Sequence, residues 1–161
     1  MKKTKIIQKA DSIAKNNLIS NRYEHAKRVV NILCKYAASE KEIAAAYLHD
    51  IFEDTYLSEE YVSKEVGKEV CFIAQELTNP PEDYEDRSFR HMKNASKEAK
   101  RIKLCDRIDN ISKRIENSQK YGKDKIETYV IESENLAEML KDSDEDLYLF
   151  LKERINLLQK K

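Results

Sequence analysis

The sequence predicts an all-α, single-domain helical bundle of about eight helices over residues 1–161. Turn formers are scarce: Gly67, Gly122, Pro80 and Pro81 are all the chain has of two glycines and two prolines, too little punctuation for a strand-based fold. Lys, Glu, Ala, Leu and Ile dominate the remainder, and apolar residues recur at three- and four-residue spacing. A chain of 161 residues can bury a real core without disulfide or zinc staples.

Each element has its own local signature. The start, MKKTKIIQKADSIAK, is basic and then turns helix-periodic. From Tyr23 the set Tyr23, Ala26, Val29, Val30, Leu33 and Ala37 marks a one-sided helix, with His25 beside the stripe. Ser39 followed by Glu42 forms a capping box that opens the next helix. There Ile43, Ala44, Tyr47, Leu48 and Ile51 are apolar enough to make it central. Ser58 caps SEEYVSKEVG, and GKEVCFIAQELT forms a further helix stopped by Asn79, Pro80 and Pro81. PPEDYEDRS is an exposed connection. From about Arg87 to Ser118, Met92, Ala95, Ala99, Ile102, Ile108, Ile111 and Ile115 support one or two helices. The last third adds a helix from about Lys123 to Leu140 and another from about Glu145 to Gln159, the latter opened by a Ser143/Asp146 capping box.

Composition narrows the function classes. Thirty basic and thirty acidic residues cancel, so no global field draws the chain to nucleic acid or an anionic membrane. Cys34, Cys71 and Cys105 are three in number, far apart and in no CxxC spacing, which suits reduced thiols in a cytosol. No apolar stretch is long enough for a signal peptide or a membrane span. The expectation is a soluble, cytoplasmic protein whose partner is a small molecule; the sequence leaves its oligomeric state open.

The chemistry lies in AAAYLHDIFEDT, residues 44–55, where ionisable residues interrupt an apolar helix. On a continuous helix His49 and Glu53 share one flank and Asp50 and Asp54 the next, so that all four face one cleft. Such a cluster repels itself unless a cation sits within it. A divalent ion bound by His49 and Asp50 offsets the repulsion and leaves Glu53 and Asp54 to handle the water it activates. Further ligands must come from other helices. The candidates are His25 and Asp106, the latter within KLCDRIDN, where Lys103, Asp106, Asp109 and Asn110 share one side. Two imidazoles and two carboxylates leave positions open for water and substrate. They suit Mn²⁺ or Fe²⁺ better than a thiolate-bound structural zinc, with Mg²⁺ or Co²⁺ also able to serve. Arg22, Lys103 and Arg107 are cations able to neutralise substrate phosphates. His91, in SFRHMKN, falls in neither motif and stays outside the metal set. Tyr84, Tyr121 and Tyr129 fit core positions better than a base-stacking role.

These residues resemble the HD-domain phosphohydrolases, in which a His, a His-Asp doublet and a later Asp bind one metal. HDIFEDT is similar to the HD-x-x-EDT motif of the RelA/SpoT-type (p)ppGpp hydrolases, and IKLCDRIDN to their K-L-A-D-R-x-x-N motif, in the same order. The resemblance implies an HD-type bundle with His25, His49, Asp50 and Asp106 as ligands and Glu53 and Asp54 as water-activating acids. It also implies Asn110 as a substrate contact, with Lys103 and Arg107 gaining from their motif positions. The implied reaction is removal of the 3′-pyrophosphate of (p)ppGpp by a stand-alone hydrolase, since the remaining length holds no synthetase or regulatory domain. Upstream of His25 the pattern departs: the family's Gly-x-Pro-Tyr turn and His-Pro are replaced by AKNNLISNRYEHAKRVV. Cys105 stands for the usual Ala, and Ser112 for an Arg. An HD enzyme for another nucleotide or phosphate ester, a non-catalytic nucleotide-binding module and an iron-dependent oxidase are the competing readings, separable by product, by metal content and by oxygen consumption.

Overall fold

The computed structural model describes residues 4–81 and 88–161. In chain order the helices are α1 (Lys5–Asn17), α2 (Ser20–Leu33), α3 (Glu40–Tyr47), α4 (Ile51–Asp54), α5 (Glu59–Val66) and α6 (Lys68–Leu77), then α7 (Lys97–Glu116), α8 (Lys123–Leu140) and α9 (Glu145–Gln159). Short 3₁₀ turns precede α7, α8 and α9, and no strand occurs among the described residues. The expected PPEDYEDRS connection, with Tyr84, falls largely outside them.

The predicted caps at Ser39 and Ser58 form. Ser39 and Glu42 close a reciprocal capping box, and Ser58 accepts from the Tyr61 amide. At α9 the cap shifts by one residue. Asp144 caps the helix through Leu147 N, while Ser143 donates to the Leu140 carbonyl in the preceding turn. Both residue types favour N-caps, so the pattern alone did not separate them. Gly67, at φ +91°, joins α5 to α6, a conformation that a side chain resists.

The larger correction concerns residues 44–55. The apolar pattern reads as one helix, but α3 ends at Tyr47 and the short α4 begins at Ile51. Between them Leu48 N bonds to Ala45 O and Ile51 N to Leu48 O, both at 2.9 Å, a tightened turn that ends the regular 3.6-residue repeat. His49 and Asp50 therefore leave the axis of α3 and point where a continuous helix would not send them.

A contiguous apolar cluster runs through the described helices, with Leu48, Ile51, Met92, Ile102, Leu104, Ile108, Leu136 and Leu147 among its fully buried side chains. Helix α7 threads this core, touching α2, α3, α6, α8 and α9, and every residue from Arg101 to Asp109 is buried. Five of these are charged, so each needs a partner in place of water. Arg101 donates to Glu42, to the Tyr36 carbonyl and to Asp144, the last at 2.8 Å, and so ties α7 to the starts of α3 and α9. The other four buried charges form the site.

Candidate metal centre

The site lies where α2, the α3–α4 turn and α7 meet. His25 enters from the first turns of α2, His49 from the tightened turn, and Asp106 from the middle of α7. Their ligand atoms lie within 4.8 Å of one another, and all three residues are buried. The two rings meet edge to face, with centroids 5.0 Å apart at 69°.

The hydrogen bonds set which ring nitrogens face inward. His49 Nδ1 lies 2.9 Å from Ala46 O, one of the carbonyls freed by the end of α3. A carbonyl only accepts, so Nδ1 carries the proton. His25 Nδ1 lies 2.7 Å from Asp109 Oδ2, and the same reasoning puts its proton there. Both Nε2 atoms then present lone pairs, 3.2 Å apart, with Asp106 Oδ1 3.1 Å from that of His25. Three electron-rich atoms so placed need a proton or a cation between them, and the donor set suits a divalent ion. In the protein alone a proton takes that role. Burial by itself lowers the His25 pKa, but hydrogen bonds to Asp106 and Asp109 and the surrounding carboxylate charge raise it from 6.5 to about 10. Burial also opposes a charged His49, yet the neighbouring Asp50 raises its pKa.

Asp106 is the most constrained group. Burial favours its neutral form, but the Lys103 ammonium, 2.9 Å from Oδ2, and the two histidines hold it well below the usual carboxylate range. Asn110 Nδ2 donates to Oδ1 at 2.6 Å, so Asn110 and Lys103, one turn either side on α7, fix the carboxylate plane. Asp50 is outside the three-residue cluster. Its Oδ1 lies 3.2 Å from His49 Nε2, and its other oxygen lies 3.7 Å from Arg22.

Glu53 and Asp54 diverge. Glu53 Oε1 accepts from Asn79 N at 2.6 Å and Asn79 Nδ2 at 2.8 Å; burial raises its pKa, and Asn79 only partly offsets this. Asp54 pairs with Arg22 Nε at 3.1 Å, and burial raises it as well. Arg22 is half exposed at the rim, bridging Asp54 and Asp50. Arg107 is buried, stacked between the rings of Phe89 and Tyr129, and donates to Ser133 Oγ at 3.3 Å. Phe89 adopts a left-handed backbone at φ 52°, and its ring also covers the Lys103 ammonium. His91 lies in the 3₁₀ turn Arg90–Asn94, outside the clustered ligands.

Three participants were not assigned roles from the sequence. Asn79 looked like a helix stop. Asp109 shared a face with Asp106 without a function of its own, and Arg28 was not singled out. The available signal was spacing: Arg28 is three residues beyond His25 and Asp109 three beyond Asp106, so both pairs recur on facing sides of α2 and α7.

A family model described as HD domain matches residues 22–111, a span that holds all four expected ligands, both acids and Asn110. The guanosine-3′,5′-bis(diphosphate) 3′-pyrophosphohydrolase MESH1 of Drosophila melanogaster is 30% identical over 136 residues, which cover 80% of this chain and 76% of that protein. A solved structure, described as a metazoan ortholog of SpoT that hydrolyzes ppGpp and plays a role in starvation responses, is similar at a TM-score of 0.79 and 23% identity, over 95% of each chain. That second likeness is one of fold. With the His25, His49 and Asp106 side chains gathered at one point within the matched span, the chain belongs to the HD-domain family.

Proposed function

We propose that the protein is a metal-dependent phosphohydrolase that removes the 3′-pyrophosphate of (p)ppGpp. The observation that carries the reading is the buried cluster of His25, His49 and Asp106 with Glu53 and Asp54 on the adjoining short helix. The 30% identity to a protein named as a ppGpp 3′-pyrophosphohydrolase supports the substrate. His25, His49 and Asp106 hold the ion, and Asp50 completes the set from beside His49. The nitrogen and oxygen donors favour Mn²⁺, with Fe²⁺, Mg²⁺ or Co²⁺ as alternatives.

A divalent ion bound there supplies positive charge to a phosphoryl oxygen and makes water more acidic. Glu53, oriented by Asn79, accepts the proton of the attacking water, and Asp54 aligns that water from the Arg22 side. Lys103 contributes positive charge beside Asp106. Arg22 offers a guanidinium at the rim for phosphate oxygens that displace its carboxylate partners. Asn110 keeps Asp106 oriented and serves as a substrate contact. Arg107 acts from beneath by holding Phe89 against Lys103. No helix among the described residues is long and apolar enough to cross a membrane. The proposed setting is the cytoplasm, where Cys34, Cys71 and Cys105, all unpaired, remain thiols.

The test is a panel of ppGpp, GTP, dGTP and nucleoside monophosphates incubated with protein and Mn²⁺. Pyrophosphate released from ppGpp supports the reading. Orthophosphate released only from a monophosphate moves the protein to another HD reaction. Binding of nucleotide without any turnover makes it a non-catalytic module, and Fe²⁺-dependent oxygen uptake makes it an oxidase.

A further inference from the structure

Both histidines turn the same ring nitrogen, Nε2, inward, but this is imposed in different ways. His49 is held by a main-chain carbonyl, Ala46 O. His25 is held by a side chain, Asp109, whose Oδ2 lies 2.7 Å from Nδ1. Asp109 is 4% exposed and stands behind His25, outside the three clustered ligand residues. It is in turn gripped by Arg28, whose Nε donates to Oδ1 at 2.8 Å and Nη2 to Oδ2 at 3.0 Å. A two-point guanidinium–carboxylate pair fixes the plane of the carboxylate as well as its position. The line Arg28–Asp109–His25 thus runs from the half-exposed flank of α2 across to α7 and back to the ring, ending at the Nε2 that faces Asp106 and His49.

The geometry points to Asp109, braced by Arg28, as the positioning residue that keeps the proton of His25 on Nδ1 and aims the Nε2 lone pair at the metal. This rests on the metal-site reading above and deepens it. If the Asp109 carboxylate were absent, nothing in the contacts of His25 would favour the Nδ1–H form, because Asp106 beside Nε2 accepts a proton equally well. The ring would then spend part of its time with a hydrogen where the ion should bind. A carboxylate behind a ligating imidazole typically changes metal affinity by about 10- to 100-fold. Arg28 acts through Asp109 alone, so its own effect is smaller and depends on Asp109.

The experiment titrates Mn²⁺ into metal-free protein, by calorimetry or by loss of the free-ion electron paramagnetic resonance signal, with no nucleotide present. The variants are Asp109→Asn, Arg28→Gln and the double substitution. The expected result is Mn²⁺ affinity weakened about 10- to 100-fold in Asp109→Asn, a smaller loss in Arg28→Gln, and no added loss from Arg28→Gln once Asp109 is Asn. Saturating Mn²⁺ should restore most of kcat in Asp109→Asn, as a group that only orients a ligand allows. Wild-type affinity in folded Asp109→Asn overturns the inference, and so does an equal effect of Arg28→Gln in both backgrounds. Should Asp109→Asn fail to fold, Arg28→Gln decides: undiminished Mn²⁺ affinity overturns the inference. A wild-type protein that binds no Mn²⁺ sinks the metal-site reading itself, whereas binding that is equal in wild type and variants sinks only the role of Asp109.

Discussion

Glu53 and Asp54 are neighbours in the chain with unrelated partners, and that difference separates their roles. Glu53 is held by Asn79 from the end of α6, whereas Asp54 faces the half-exposed charge of Arg22. Glu53→Gln keeps an acceptor for Asn79 but loses the base. It should lower kcat by about 10²- to 10⁴-fold while leaving Mn²⁺ affinity near the wild-type value, read by calorimetry. The three clustered ligands make the opposite prediction: His49→Gln should abolish both metal binding and turnover. A pH dependence follows from His25. Its pKa is raised in the fold, from 6.5 to about 10, so the metal-free protein gains stability from the charged ring that is fully present below 6.5 and lost as pH rises toward 10. Thermal melts of metal-free protein should therefore decline over that window, and the slope should flatten in His25→Gln. Asp106 works in the other direction: its depressed pKa contributes stability that is lost as pH falls below 3.8. The His-Asp motif and DRxxN segment made the clustering of His49 and Asp106 legible in the sequence. The Glu53–Asn79 contact was not, because it joins residues 26 apart through a turn whose direction no local pattern encodes.

Helix α7 shows how charge can mislead at the scale of an element. Its sequence, KEAKRIKLCDRIDNISKRIE, alternates charged residues with an apolar stripe, yet Arg101 through Asp109 are all buried. The charges are tolerated because each meets an opposite charge or a polar side chain; Lys103 pairs with Asp106 within α7, but the other partners come from α2, α3, α8 and the α9 cap, where a one-helix pattern cannot show them. Arg101→Met leaves Glu42 buried without its cation and should cost about 3–5 kcal/mol in urea unfolding. Lys113→Met removes an exposed pair with Glu116 and should cost less than about 0.5 kcal/mol. The break between α3 and α4 was equally hidden, since Leu48 and Ile51 fit an unbroken apolar helix. It matters because the turn brings His49 Nδ1 to Ala46 O. Gly67, by contrast, was visible as punctuation. A Cβ there meets nothing within 4 Å, so Gly67→Ala should cost about 1–3 kcal/mol through backbone strain alone.

At the scale of the molecule, the site joins segments that are distant in the chain: His25 and Asp106 are 81 residues apart. An ion shared by α2, the α3–α4 turn and α7 should therefore stabilise the bundle as a whole. Mn²⁺ at about 100 times its Kd should add about 2.7 kcal/mol to unfolding, and a chelator should remove both that increment and the hydrolysis of ppGpp. Two structures on this fold can differ in substrate while sharing the metal, so the placement of the ion is the claim from which the chemistry follows. It is tested most directly by a crystal soaked with Mn²⁺ and ppGpp, with anomalous data collected at the manganese edge. The account predicts a single anomalous peak coordinated by His25 Nε2, His49 Nε2 and oxygens of Asp106 and Asp50, with the 3′-phosphates of ppGpp beside it and Glu53 facing the attacked phosphorus. A peak away from Asp106, or ppGpp bound at another face of the bundle, would contradict it.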